Sequence, residues 1–201
     1  MYMKKDLRIV SIDGIRGVGK TSQAFLLCRY LESYDINSKL LKLEDNIESI
    51  LDSIDKLWKM LEKEDCIVIC DGSIARMIEV DIQRQMPMKD VYEKYRIVIN
   101  EYEKLYHKYG MANLLITINE PTECQERINK RNSLFKESIE LIDIVGQNNI
   151  SSGLSRFDSY VFNVNIKFHT VETEKEDSML DVRDDIYKIL ESNFNIKKPS
   201  I

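Results

Sequence analysis

Apolar residues along this chain follow two rhythms, and the switches between them mark out its elements. Leu7 to Ile12, Cys66 to Cys70 and Leu114 to Ile118 are short apolar runs with little alternation. Such runs suit strands buried on both faces of a parallel sheet. Ser38 to Leu43 is a further strand candidate, and Phe162 to Phe168 alternates as a fifth strand would. Between these runs the period lengthens to that of a helix. Ala24, Leu27, Cys28 and Leu31 form one stripe, and Ile47, Ile50, Leu51, Ile54, Leu57, Trp58 and Leu61 a stronger one. A helical region is predicted from Ile74 to Gln85, closed by Pro87. A long helix is predicted from Asp90 to Tyr109, striped by Val91, Tyr95, Val98, Tyr102, Leu105 and Tyr109, with Gly110 as its C-cap. The tyrosines of that stripe read as core.

Pro121 opens a helix to Lys130, as proline does in a first turn. Another helix is expected over Lys136 to Val145, then a polar stretch from Gln147 to Ser155. A closing helix spans Asp177 to Leu190, with Leu180, Val182, Ile186, Ile189 and Leu190 apolar, and the tail from Asn193 is polar. Strands alternating with helices predict an α/β fold: a three-layer α/β/α sandwich around a five-stranded parallel sheet.

Three of the seven glycines fall in Gly14-Ile15-Arg16-Gly17-Val18-Gly19-Lys20-Thr21. This matches the phosphate-binding loop G-x-x-x-x-G-K-[ST], and it stands between a strand and a helix, where that motif belongs. The chemistry explains the residue types. Phosphate oxygens need several backbone N–H groups at once, and glycines let the backbone approach. The helix that follows directs its N-terminal dipole at the anion. Gly14, Arg16, Gly17, Val18, Gly19, Lys20, Thr21 and Ser22 are the expected nucleotide-binding residues. Lys20 meets the β and γ phosphates, and Thr21 is placed to ligate Mg²⁺. ATP and Mg²⁺ are therefore the expected cofactors. In such sheets ligands bind beyond the carboxyl ends of the strands, where Asp71 also lies. Asp71 reads as a ligand of Mg²⁺ through water, as a carboxylate that helps orient the acceptor, or as a helix N-cap. Asp13, just before the loop, is placed to touch metal or acceptor.

Composition narrows the picture. At 201 residues and 43% hydrophobic, one domain with a full core is expected. The net charge of −5 gives no general attraction to nucleic acid or anionic membrane. No apolar stretch is long enough to span a bilayer, and the first residues lack the apolar core of a signal peptide. Four scattered cysteines, Cys28, Cys66, Cys70 and Cys124, read as reduced core residues, so the expected location is cytoplasmic. A GTPase reading fails at Gly72-Ser73-Ile74 after Asp71, which is not D-x-x-G. It fails again at Asn129-Lys130-Arg131-Asn132, which ends in Asn where guanine needs a carboxylate.

The segment Ile9 to Gln23, with Asp13 ahead of the first glycine and Gly19-Lys20-Thr21-Ser22-Gln23 at its end, resembles the thymidylate kinase and deoxynucleoside kinase group. Leu114 to Arg131 is similar to that family's fourth strand and the helix after it, which carries an R-x-x-x-R pair and leads to a lid. The resemblance implies that Arg127 and Arg131 are catalytic with Lys20 and Asp71, and that a lid occupies 131–150. Physically, the two arginines stand one helical turn apart, and their planar forks suit phosphate. Arg76, Arg84 and Arg96 are candidates for the acceptor's phosphate. The implied activity is ATP-dependent phosphoryl transfer to a nucleotide, a (deoxy)nucleoside monophosphate before a deoxynucleoside. A nucleotide-binding module without catalysis is the reading from another class. The resemblance also implies a homodimer. The acceptor side departs from the family. Arg16 stands where an acid is usual, Gly72 follows Asp71 where arginine is usual, and Lys42-Leu43-Glu44-Asp45 replaces a phenylalanine-proline-arginine segment.

Overall fold

The computed structural model describes residues 6–15, 17–43, 46–118, 121–132, 167–174 and 177–196, with Gln83, Pro121, Arg131 and Asn132 described by their backbone alone. Five strands are described: β1 (Leu7–Gly14), β2 (Ser38–Lys42), β3 (Ile67–Asp71), β4 (Gly110–Ile118) and β5 (Phe168–Thr173). Six helices accompany them: α1 (Lys20–Glu32), α2 (Ile47–Lys63), α3 (Ile74–Gln83), α4 (Met88–Lys108), α5 (Pro121–Asn132) and α6 (Met179–Asn193). The strands form one parallel sheet in the order β2-β3-β1-β4-β5.

Alternation along the strands divides the core between two faces. In β3, Val68 and Cys70 pack with α2, α3 and α4, while Ile67 and Ile69 pack with α1, α5 and α6. Both faces are dry, which is why β3 reads as an unbroken apolar run. The predicted stripes fall where they should. Ala24, Leu27, Cys28 and Leu31 of α1 are buried, as are Val91, Tyr95, Val98, Tyr102 and Leu105 of α4. All four cysteines are free and buried. Among the described residues no helix is long and apolar enough to cross a membrane.

Four expectations need correction. The fifth strand is Phe168–Thr173, beginning where the predicted one ended; His169, Thr170 and Glu172 are partly or fully exposed, and this masks the strand signal. Gly110 is not a helix cap. Tyr109 leaves α4 in extended conformation and Gly110 starts β4, so the chain passes from helix to strand without a left-handed residue. Pro87 opens α4 and does not close α3: its carbonyl accepts from Asp90 N and Val91 N at 2.8 and 3.0 Å. Leu180 is half exposed in the first turn of α6 and takes no part in its buried stripe. The expected helix at 136–145, the polar stretch at 147–155 and lid residues 133–150 lie outside the described residues.

Register brings the carboxyl ends of the strands to one edge. Gly14 is level with Ile116, Asp71 with both Ile12 and Lys42, and Thr173 with Ile118. β1 connects to β2 on one side of itself and has β4 on the other, so the strand order reverses at β1. That reversal opens a crevice at the glycine loop.

Candidate functional site

The glycine loop leaves β1 at Gly14 and enters α1 at Lys20. Gly14 has φ of +152°, and a Cβ there would lie 2.4 Å from the Ile116 carbonyl oxygen, so the loop turns tightly against β4. Gly19 is the N-cap of α1 in left-handed conformation. α2, α3 and α6 are each capped by a side chain, from Asn46, Ser73 and Ser178. No side chain caps α1, and no acid stands in its first turn. Its first amides are left to an anion.

Lys20 folds over the loop, its Nζ donating to the carbonyls of Gly14 and Ile15 at 2.8 and 3.1 Å. Thr21 Oγ1 donates to Asp71 Oδ2 at 2.6 Å across fifty positions of sequence. The N-cap of α3 is Ser73, whose Oγ accepts from Arg76 N at 3.2 Å, so the capping role considered for Asp71 belongs to another residue. A hydroxyl and a carboxylate within hydrogen-bond reach are hard oxygen donors of the kind Mg²⁺ takes. Among the described residues no group of three His, Cys, Asp or Glu side chains could hold a metal by itself. A Mg²⁺ ion completed by phosphate oxygens needs no such group.

Asp13 is fully buried. Its Oδ1 accepts from Gly14 N at 2.6 Å and from Arg76 Nη1 at 2.9 Å, and its buried Oδ2 has no hydrogen-bond partner among the described residues. Arg76 Nη1 also donates to the Gly14 carbonyl at 3.1 Å. The structure therefore draws Asp13, Arg76 and Lys20 together at the first residue of the loop.

Two cavities flank this point. One, of about 460 Å³, is lined by the loop from Gly17 to Gln23, by Arg127 and Ile128 of α5, by Thr173 at the end of β5, and by Glu174 and Asp177 beyond it. The other, of about 1100 Å³, is lined by Asp71, Arg76, Asp81 and Arg84 on β3 and α3, by Lys42 and Glu48 near β2, and by Lys94 and Tyr95 of α4. Lys20 and Thr21 line both. Arg127 is held by Glu123, Nη2 to Oε1 at 2.6 Å. Arg131 lies in the last turn of α5, and its side chain is outside the described residues, as is all of Arg16. Val18 is buried and Ser22 exposed at the head of α1. Arg84 is mostly exposed, 4.0 Å from Asp81. Arg96 is exposed on α4, one residue past buried Tyr95, and lines neither cavity. Helical geometry turns it away from the face that Tyr95 buries.

Sequence reasoning missed two groups. Thr173, Glu174 and Asp177 stand at and just past the carboxyl end of β5, and a correctly placed fifth strand would have found them. Asp81 is the other. It is 4% exposed, and its Oδ2 accepts from Tyr95 OH and Lys94 Nζ, both at 2.5 Å. Burial pushes its carboxyl up, but the hydrogen bonds from Lys94 and Tyr95 prevail and hold it below the usual carboxylate range. Burial and the bond to Asp81 push the Tyr95 phenol up to about 12. Asp81 is one of two acids in α3, and nothing in the sequence around it signals such partners.

No protein-family model matches the chain, and no curated protein matches it in sequence. Among solved structures it is similar to the YorR protein of Bacillus subtilis, whose crystal structure contains phosphorylated GDP. They share 15% identity over 91% of this chain and 95% of that one, with a TM-score of 0.51. A gluconokinase from Sinorhizobium meliloti 1021 aligns over 94% of this chain and 97% of its own, at 12% identity and a TM-score of 0.45. The likeness to the YorR protein is one of fold, and the phosphate-loop α/β/α fold is that of this chain.

Proposed function

We propose that the chain is an ATP- and Mg²⁺-dependent kinase acting on a nucleotide, with a (deoxy)nucleoside monophosphate as acceptor. One observation carries the reading: two cavities of unequal size meet at Lys20 and Thr21, the residues that grip the end of a polyphosphate in this loop. The smaller cavity, with the loop amides and Arg127, suits the donor. The larger, with Asp71, Arg76 and Arg84 on its wall, suits the acceptor. Closeness to thymidylate kinase rests on the residues of the loop and of α5. A phosphorylated GDP in the YorR protein supports a nucleotide ligand.

In this reading the loop amides and Lys20 hold the β and γ phosphates. Thr21 and Asp71 hold Mg²⁺, which would neutralise charge developing on the bridging and γ oxygens. Arg127 approaches the transferred group from α5, and Arg131 joins it there. Asp71 orients the acceptor oxygen. An acceptor that fills the larger cavity keeps water from the γ-phosphate. A deoxynucleoside acceptor is the second reading, favoured by Asp71 at the junction, where it would act as base toward a hydroxyl.

Coupled ADP release should be followed with panels of nucleoside monophosphates and nucleosides. Turnover with a monophosphate supports the first reading, and turnover with nucleosides alone supports the second. ATP binding without turnover on any acceptor leaves a nucleotide-binding module and overturns both.

A further inference from the structure

We propose that Arg76 is a catalytic residue, the cation that holds the phosphoryl group as it crosses between the two cavities, and that Asp13 is its positioning residue. The inference rests on the kinase reading above and adds to it a role that the loop motif does not contain.

Arg76 is fixed at both ends. Its backbone N–H is the one that Ser73 caps at the head of α3. Its guanidinium reaches back to β1, where Nη1 donates to Asp13 Oδ1 and to the Gly14 carbonyl. The same carbonyl accepts from Lys20 Nζ. Two cations, brought by α1 from the donor side and by α3 from the acceptor side, thus share one oxygen at the mouth of β1. Like charges so close repel, and buried Asp13 offsets one of them. Asp13 and Asp71 stand behind this pair as carboxylates, and Lys20 and Arg76 present positive charge at the mouth of the loop. That is the sign a moving phosphoryl requires.

A buried brace between α3 and the loop is the competing account, and three observations oppose it. Among the described residues buried Asp13 Oδ2 has no hydrogen-bond partner, and a buried ion pair with an unsatisfied oxygen is a poor stabiliser. Among the described residues, Nε and Nη2 of Arg76 make no hydrogen bond, so one edge of the fork is open. The side chain is 18% exposed, and Arg76 lines the acceptor cavity. Gly72, beside Asp71 on the same wall, contributes no side chain at all. Arg76 supplies the charge there from one turn further on.

The step balances simply. A lone pair of the acceptor oxygen forms the new bond to the γ-phosphorus. The bond from that phosphorus to the β–γ bridging oxygen breaks, and its electron pair stays on the nucleoside diphosphate. The proton of a water or hydroxyl acceptor passes to solvent. Arg76 and Lys20 flank the three equatorial oxygens while charge spreads over them.

Water can serve as acceptor, so the test needs no identified substrate. Single-turnover hydrolysis of Mg²⁺-ATP by the full chain should be measured beside affinity for a fluorescent ATP analogue and the melting temperature. Arg76→Met should slow hydrolysis about 10²–10³-fold with analogue affinity little changed. Arg76→Lys keeps the charge and loses the fork, and should recover only part of the rate. Added guanidinium, below denaturing concentration, should partly restore Arg76→Ala and leave Lys20→Ala unaffected. Asp13→Asn should lower the rate by a smaller factor, again at unchanged affinity. The proposal is overturned if Arg76→Lys and Arg76→Met hydrolyse ATP like the parent. It is overturned equally if rate, affinity and melting temperature fall together without rescue, since that is the behaviour of a brace. Failure of the kinase reading looks different: the parent binds the analogue but neither hydrolyses ATP nor turns over any nucleoside or nucleoside monophosphate of the panels.

Discussion

Gly14 and Gly19 occupy fixed places of one motif, yet a methyl group at each would meet different surroundings. At Gly14 the new Cβ would lie 2.4 Å from a β4 carbonyl, with φ at +152°. Backbone must move to admit it. At Gly19 no atom of the described residues lies within 4 Å, and the φ of +102° is what opposes a side chain. The open space is where a phosphate would sit. Gly14→Ala should therefore cost at least about 2 kcal/mol of folding stability. Gly19→Ala should cost about 1 kcal/mol but lose most of its affinity for ATP. Urea unfolding and titration with a fluorescent ATP analogue separate the two, and equal behaviour in both assays would count against the loop geometry. The sequence made the loop legible because phosphate chemistry constrains residue type at fixed spacing. It did not reveal that Asp13 pairs with Arg76, since partners sixty-three positions apart leave no periodic trace.

α3 and α4 are clasped on the acceptor side by Asp81, Tyr95 and Lys94. Asp81 is held ionised below its usual range, so its contribution is present above the ordinary carboxylate pKa of about 3.9 and is lost as pH falls through the folded value. Tyr95 is pushed up to about 12, so its contribution holds below the ordinary phenol pKa of about 10 and is lost as pH rises toward 12. Asp81→Asn should cost about 1–3 kcal/mol at pH 7, and the difference from the parent should shrink as unfolding is repeated toward pH 3. A penalty independent of pH would mean that shape, not charge, sets the role of Asp81. The cap of α6 offers a plainer test. Ser178 accepts from Asp181 N at 3.2 Å in a full capping box, and Ser178→Ala should cost about 1 kcal/mol by the same unfolding assay. Elements with a strong stripe, such as α1, α2 and α4, were legible because one face must be apolar whatever the rest of the molecule does. β5 was not, because an edge strand half covered by neighbours carries polar residues and loses its rhythm. The Tyr109–Gly110 junction misled for another reason: glycine after a helix signals a cap only where the chain turns, and here it runs straight on.

At the scale of the whole molecule, the strand order sets the site. β1 ends at the reversal of the sheet, so the loop that follows it faces α5 and the β5–α6 segment on one side and α2, α3 and α4 on the other. The donor half was readable in part because the continuous stretch Gly17 to Gln23 builds half of its lining. The acceptor half comes from β2, α2, β3, α3 and α4, and only folding brings Lys42, Asp71, Asp81 and Tyr95 to one cavity. This arrangement makes a demand on ligands. If both cavities hold nucleotides whose phosphates meet at Lys20 and Thr21, one molecule with a nucleoside at each end should fill them together. Its second half would then bind at a high effective concentration set by the phosphate chain. A dinucleoside pentaphosphate with adenosine at one end and thymidine at the other should bind about 10²–10⁴-fold more tightly than ATP, with one molecule per chain. Calorimetry gives both quantities. Lys20→Ala should weaken it and ATP alike, because both pass their phosphates through the junction. Asp81→Asn should weaken the two-headed ligand alone, because Asp81 lines only the larger cavity. An affinity no better than that of ATP would mean that the larger cavity does not take a nucleoside, whatever the smaller one holds.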